Sequence, residues 1–301
     1  MDKANTGVIG VGLMGHGIAK NLLEKGHPLT VMAHRNRAPV EDLIGRGATE
    51  AKTPREMAEA VDILHICVSG SPEVEGVIRG PDGILASGKA GLIVIDCSTS
   101  DPVSTLQLAD ELAAAGMILV DAPLARTPKE AEAGTLDTMV GADPETFAAI
   151  RPVLACWAAN IVHLGPVGLG HKMKLINNFI AMGYGALYSE ALAIARKSGL
   201  TAQQVDDVIR PGRLSNGFYE TFMKYTLERD EDAHRFSIRN AAKDMRYLAN
   251  LALAVGAVNP VQGAVRNAFA GMEAEGEGDR YVPMLADFIA ARNGLPPVDD
   301  A

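Results

Sequence analysis

The feature that most constrains the fold lies near the start of the chain, in "GVIGVGLMGHGIAKNLLEKGHPLTVMAHR" (7–35). An apolar strand-like run (6–11) carries straight into Gly10, Gly12 and Gly15, spaced G-x-G-x-x-G. A helical stretch follows, closes at Gly26, and leads to a second apolar run at 29–33. Strand, glycine turn, helix, strand is the βαβ unit, and its crossover is right-handed. In that context each glycine has a task. Gly10 permits the tight turn, Gly12 lets the backbone approach a pyrophosphate, and Gly15 lets the helix pack on the strand. Leu13 and Met14 complete the loop, and the helix N-terminus turns its unpaired N–H groups toward the phosphates. This predicts a dinucleotide site.

The alternation continues. Strand-like runs recur at 62–68, 92–97, 117–122, 135–141 and 160–165, several of them apolar throughout. Strands covered by helices on both faces read this way. After about residue 166 strand-like runs cease. A helix from His171 to Gly199, roughly 40 Å long, is followed by five further helical segments. The expectation is an α/β chain: a Rossmann-type doubly wound sheet over 1–165, followed by an all-helical domain over 166–301, joined by a long interdomain helix.

Charge and composition exclude several partners. A formal net charge of −9 argues against nucleic acid, which needs a basic face. The three cysteines are odd in number and form no C-x-x-C, and the histidines lack metal-ligand spacing, so neither a disulfide framework nor a metal site is expected. The most apolar helical segment, 179–195, contains Glu190 and reads as a buried helix rather than a membrane span. No signal-peptide pattern precedes the first strand. A cytoplasmic protein is expected.

The end of the second strand bears on cofactor choice. An acid there accepts hydrogen bonds from the ribose 2′-OH of NAD. Here the residues are His34, Arg35, Asn36 and Arg37, with no Asp or Glu between 25 and 40. Two arginines suit a 2′-phosphate, so NADP(H) is favoured, with NAD(H) open. Solvated loop charges are the plainer alternative.

Further on, Lys174 and Asn178 lie one helical turn apart, with Asn177 beside that face. A lysine and a carboxamide on one stripe could hold and protonate a carbonyl oxygen. On spacing alone, polar residues at a helix start are the stronger reading.

Four ordered motifs change that balance. Gly168, Gly170, Lys174, Asn177 and Asn178 form G-x-G-x-x-x-K-x-x-N-N. "DCSTSDP" (96–102) follows D-x-S-T-x-x-P, "DAPLARTPKEAEAGTL" (121–136) follows D-A-P-V-S-G-G-x-x-x-A-x-x-G-T-L, and "AAKDM" (241–245) carries K-D. With the glycine motif, the chain resembles the β-hydroxyacid dehydrogenases, such as 3-hydroxyisobutyrate dehydrogenase and tartronate semialdehyde reductase, over nearly its whole length. The resemblance implies that Lys174 is catalytic and that Asn178 orients the substrate. It implies cofactor contacts at Val68, Ser69 and Thr99, with Lys243 closing over the cofactor. It also implies homodimers or homotetramers. Plainer roles remain: Ser98 and Thr99 as caps of the helix near Pro102, and Asp244 as a partner of Lys243 or Arg246.

One departure stands out. The family's S-G-G is Ala125-Arg126-Thr127 here. A hydroxyl is lost and a guanidinium gained, which is similar to the 3-sulfolactaldehyde reductase branch. That branch commonly carries an acid at the ribose position, and this chain does not. Ala181 also replaces the serine expected one turn beyond Asn177.

The expected reaction is hydride transfer between a nicotinamide cofactor and a short anionic semialdehyde or its 3-hydroxy acid. Lys174 acts as general acid and base. Arg126, Thr127 and Asn177, with Ala125, surround the anionic tail. A surface pair between Arg126 and Glu130 or Glu132 is the plainer reading of the arginine. A catalytically silent cofactor-binding regulator, or an imine reductase, is the alternative on the same fold.

Overall fold

The computed structural model describes residues 3–34 and 36–298. Arg35 lies outside them. The chain divides into two compact units, Met1–Lys174 and Leu175–Ala301.

The first unit is built on a nine-stranded sheet. Its strands are β1 (Thr6–Ile9), β2 (Leu29–Met32), β3 (Thr49–Glu50), β4 (Ile63–Ile66), β5 (Ile93–Asp96), β6 (Ile118–Asp121), β7 (Leu124–Ala125), β8 (Leu136–Gly141) and β9 (Ala158–Gly165). The order β3-β2-β1-β4-β5-β6 is all parallel. It is the order of two mononucleotide-binding halves meeting between β1 and β4. β8 then runs antiparallel to β6 and β7, and β9 lies parallel to β8.

The apolar runs are explained by two cores, one on each face. Val8, Ile95 and Val120 pack with Ile18 and Leu22 of α1 (Gly15–Glu24), Val40 and Leu43 of α2 (Ala38–Gly45), and the single tryptophan, Trp157. Their strand neighbours Ile9, Val94 and Leu119 face the other way. These meet Met57 of α3 (Pro54–Ala60), Val74 and Ile78 of α4 (Ser71–Arg79), and Leu108 and Leu112 of α5 (Pro102–Ala114). Two short helices complete this unit, α6 (Pro128–Ala133) and α7 (Pro144–Leu154).

α8 (Leu169–Lys197) is one continuous helix of 29 residues, beginning two positions before the sequence pattern suggests. The second unit continues with α9 (Ala202–Ile209), α10 (Gly217–Glu228), α11 (Ile238–Ala254), α12 (Pro260–Met272) and α13 (Leu285–Arg292). Met182, Met245, Phe269 and Leu285 form its main core, and Leu192, Tyr219 and Phe222 a second. No described helix is long and apolar enough to cross a membrane.

Candidate active site

Parallel register sets the ends of the strands level. Ile9 pairs with Met32 and Ile66, Ile66 with Asp96, and Asp96 with Asp121. The loops that follow therefore share one edge, where open α/β sheets bind ligands. They carry the glycine motif, His34, Asn36 and Arg37, Val68 and Ser69, Thr99, and, just past the short β7, Arg126 and Thr127.

The glycine loop fits a dinucleotide. Gly10 has φ +94°, and a Cβ there would lie 2.1 Å from the Cys67 carbonyl oxygen. A Cβ on Gly12 would meet nothing within 4 Å, so its backbone faces open space. α1 begins without a side-chain cap and without an acid in its first turn. Its leading N–H groups thus suit a phosphate. Leu13, at the loop tip, is 79 % exposed, and Met14 is half-buried. Val68 and Ser69 follow β4, where the Val68 N–H donates to Ser98 Oγ (3.0 Å). Thr99 is half-buried in the next loop.

Beyond β2, His34 is exposed. The Arg37 guanidinium grips both oxygens of Glu50 at 3.1 Å and lies 3.4 Å from Glu41. Hydrogen bonding to Arg37 holds the Glu50 carboxyl below its ordinary value. Arg37 is thus tied into an acidic pair at the far side of β2 rather than standing as an isolated loop charge.

Directly after β7, Arg126 has φ +81°. This left-handed backbone favours glycine, and a side chain there is strained. Its Nε donates to Asp137 Oδ2 at 2.9 Å. Asp137 is two residues into β8 and is the register partner of Ala125. The acid bonded to Arg126 is therefore Asp137, with Glu130 adding a weaker charge interaction. Glu130 and Glu132 bond elsewhere. Glu130 closes a capping box on α6 with Thr127, whose hydroxyl is engaged there. Glu132 meets His16 Nδ1 at 2.6 Å. α6 is held against α1 at Gly17, where a Cβ would lie 2.4 Å from the Ala131 carbonyl oxygen, and Asn21 Nδ2 donates to that oxygen (3.0 Å). The helix that follows Thr127 is thereby seated on the glycine-motif helix.

Lys174, half-buried, closes the first unit on α8. One turn earlier, His171 is fully buried, and its amide and that of Gly168 donate to Asp121. Burial raises the Asp121 carboxyl above its ordinary value, against the lowering effect of His171 and of these backbone donors. α5 is capped by Asp101, which accepts from the Val103 N–H (3.0 Å), so Ser98 and Thr99 do not cap it.

In the second unit, Asn178 is buried and its Nδ2 donates to Asp244 Oδ2 at 2.7 Å. Lys243 Nζ lies 3.3 Å from Asp244 Oδ1. Asn177 is exposed beside them, its Nδ2 3.4 Å from Asn178 Oδ1. Asp244 therefore does more than pair with its neighbour: it fixes which way the Asn178 amide points. Asp137, Asp121, His171 and Glu50 were not distinguishable in sequence as site residues. An acid ending an apolar strand, as Asp121 does, was the one visible signal. No group of three or more metal-ligating side chains occurs among the described residues.

A parallel 3-2-1-4-5-6 sheet with a phosphate-ready glycine loop, and a lysine and oriented asparagine on the next helix, defines a nicotinamide-dependent oxidoreductase. Comparison with known proteins narrows this. Residues 5–165 match the NAD binding domain of 6-phosphogluconate dehydrogenase, and 168–286 the NAD-binding region of NADP-dependent 3-hydroxyisobutyrate dehydrogenase. The chain is 36 % identical over 242 residues to 2-(hydroxymethyl)glutarate dehydrogenase of Eubacterium barkeri, covering 79 % of each. It is 28 % identical to 3-sulfolactaldehyde reductase of Escherichia coli, covering 95 % of this chain and 96 % of that one. Its fold is that of Mycobacterium tuberculosis 3-hydroxyisobutyrate dehydrogenase, with a TM-score of 0.85 at 24 % identity over 95 % of this chain and 99 % of that one. The chain belongs to the NAD(P)-dependent β-hydroxyacid dehydrogenase family.

Proposed function

We propose that the protein interconverts a short anionic semialdehyde and its 3-hydroxy acid, with NADP(H) preferred over NAD(H). The bound dinucleotide supplies the hydride in reduction and accepts it in oxidation. Lys174 protonates the oxygen that becomes the alcohol, and removes that proton in the reverse direction. Arg126 holds the carboxylate or sulfonate tail through its planar fork, which fixes the reacting carbon. Asn177, exposed beside Asn178, is read as a further substrate contact.

The observation that carries the reading is the Asn178–Asp244 hydrogen bond. A carboxylate is acceptor-only, so it fixes the amide nitrogen inward and leaves the Asn178 oxygen to receive a proton donor. Beyond the long contact from Asn177 Nδ2 (3.4 Å), that oxygen can take the Lys174 ammonium one turn away, or the substrate hydroxyl. Each use serves proton transfer at one oxygen atom. A silent cofactor-binding protein has no need of that arrangement. The proposed setting is the cytosol, and the proposed assembly a homodimer or homotetramer.

The test is a substrate panel with purified protein. Succinic, tartronate and methylmalonate semialdehydes and 3-sulfolactaldehyde are offered with NADPH and with NADH, alongside a neutral aldehyde and a cyclic imine. 3-Hydroxyisobutyrate and 2-(hydroxymethyl)glutarate are offered with the oxidised cofactors. Turnover of an acidic member well above the neutral aldehyde supports the proposal. Turnover of the imine alone, or of nothing, contradicts it.

A further inference from the structure

The buried ends of β5 and β6 hold a polar cluster that no step above uses. Asp121 is fully buried and accepts two backbone N–H bonds, from Gly168 (2.6 Å) and His171 (2.7 Å). The space around the carboxylate is shaped by glycines. A Cβ at Gly141 would lie 2.2 Å from Asp121 Oδ1, and one at Gly170 would lie 2.8 Å from Oδ2. The His171 ring crosses to the neighbouring strand end. Nε2 pairs with the Ser98 carbonyl oxygen at 3.2 Å, and Nδ1 with the Thr105 hydroxyl of α5 at 2.8 Å. A carbonyl only accepts, so Nε2 carries the proton. Asp96, the register partner of Asp121, lies 3.7 Å from the ring, and its two oxygens take the Ser98 N–H and the Ser100 hydroxyl.

We infer that Asp121 and His171 are positioning residues: they fix the first turn of α8 to the ends of β5 and β6, and so fix where Lys174 stands. Several contacts tie the helix start to the sheet ends. The two amide bonds hold the helix along the Asp121 carboxylate. Gly141 and Gly170 let the carboxylate approach where any side chain would clash. The His171 ring, held at both nitrogens, stops the helix from turning about its axis. Lys174 follows within one turn, so a shift of the first turn carries over to its Nζ. A buried carboxylate with fixed donors tolerates little change, because an unmade bond there costs its full desolvation penalty.

This inference rests on the catalytic reading of Lys174, and its test separates the two. Asp121→Asn, His171→Gln, Thr105→Val and Lys174→Ala are compared with the wild type, using the panel member turned over fastest. Thermal melting gives the folded fraction, fluorescence titration the NADPH dissociation constant, and deuterated NADPH the primary isotope effect on kcat. A displaced general acid slows chemistry while cofactor binding stays intact. The expected result for Asp121→Asn is a kcat roughly 100-fold down, an NADPH constant within about twofold, and a larger isotope effect. His171→Gln is expected to follow with about a tenfold loss. If Asp121→Asn does not fold, His171→Gln and Thr105→Val, which leave the carboxylate–amide bonds in place, carry the same comparison. Losses of kcat that merely follow the folded fraction, with an unchanged isotope effect, overturn the positioning role. If Lys174→Ala stays active, the catalytic reading itself falls; if it is inactive while the other variants match the wild type, only the positioning role falls.

Discussion

Arg126 bonds through Nε to Asp137 at 2.9 Å while its backbone holds φ +81°. A non-glycine residue in the left-handed region is strained, and such strain gathers at functional sites. The side chain is still 51 % exposed, with Nε bonded to Asp137. The fork is thus aimed by Asp137 while its other nitrogens remain suited to an anion.

Arg126→Ala is therefore expected to lower kcat/KM roughly 10- to 100-fold for an anionic aldehyde, and to leave a neutral aldehyde of equal length nearly unchanged. Arg126→Lys should recover only part of the loss, because a point charge replaces a planar fork. Arg126→Gly should raise the melting temperature while losing the same selectivity. Equal losses on charged and neutral substrates would show that Arg126 only supports the loop.

Cofactor choice is tested at the end of β2. Replacing Arg35 and Arg37 together with Ala should raise KM for NADPH roughly 10- to 100-fold, with little change for NADH. Glu50 competes for Arg37. Glu50→Gln should therefore lower KM for NADPH, by about threefold given the weakness of exposed pairs. A wild type that prefers NADH contradicts this assignment.

Much of the first unit was legible in sequence because its signals are local. Apolar runs bounded by glycine marked seven strands, and the glycine motif marked the first crossover. β3 and β7 were missed because two residues carry no period. Ser98 and Thr99 read as possible caps of α5, whereas Asp101, directly before Pro102, makes the bond. In the site, Lys174 and Asn178 could be paired because a helix relates them by spacing. Arg126 with Asp137, and His171 with Ser98 and Thr105, could not. Those contacts depend on strand pairing and on how the helices return to the sheet, which no run of residues states.

Stability should fall in mild acid through one buried ring. His65, in the middle of β4, is fully buried, and burial lowers its pKa from 6.5 to about 4. The unfolded chain then binds a proton that the folded chain refuses. Stability is full above pH 6.5 and is lost as the pH falls toward 4. Between pH 7 and 4.5 the wild type should lose about 2 kcal/mol that His65→Leu does not lose. Denaturant titrations of both proteins at the two pH values check this; parallel losses would mean that His65 is not the group responsible.

Assembly is tested on α8. Ile180, Leu187 and Ile194 recur every seven residues and are 52 %, 62 % and 68 % exposed. An apolar stripe of this kind on a long helix marks an interaction surface. Light scattering at micromolar concentration should give a dimer or tetramer, and Leu187→Glu with Ile194→Glu should give a smaller species. A monomeric wild type contradicts the proposed oligomer.

The central claim is that Lys174 moves the proton at the reacting oxygen. Its most direct test measures turnover and NADPH binding on one preparation of Lys174→Ala, with the acidic aldehyde that the wild type reduces fastest. The account predicts a kcat at least ~100-fold below wild type, as expected on loss of a general acid, with the NADPH dissociation constant nearly unchanged. A variant that keeps about a tenth of wild-type kcat, or that loses NADPH binding in step with activity, would contradict it.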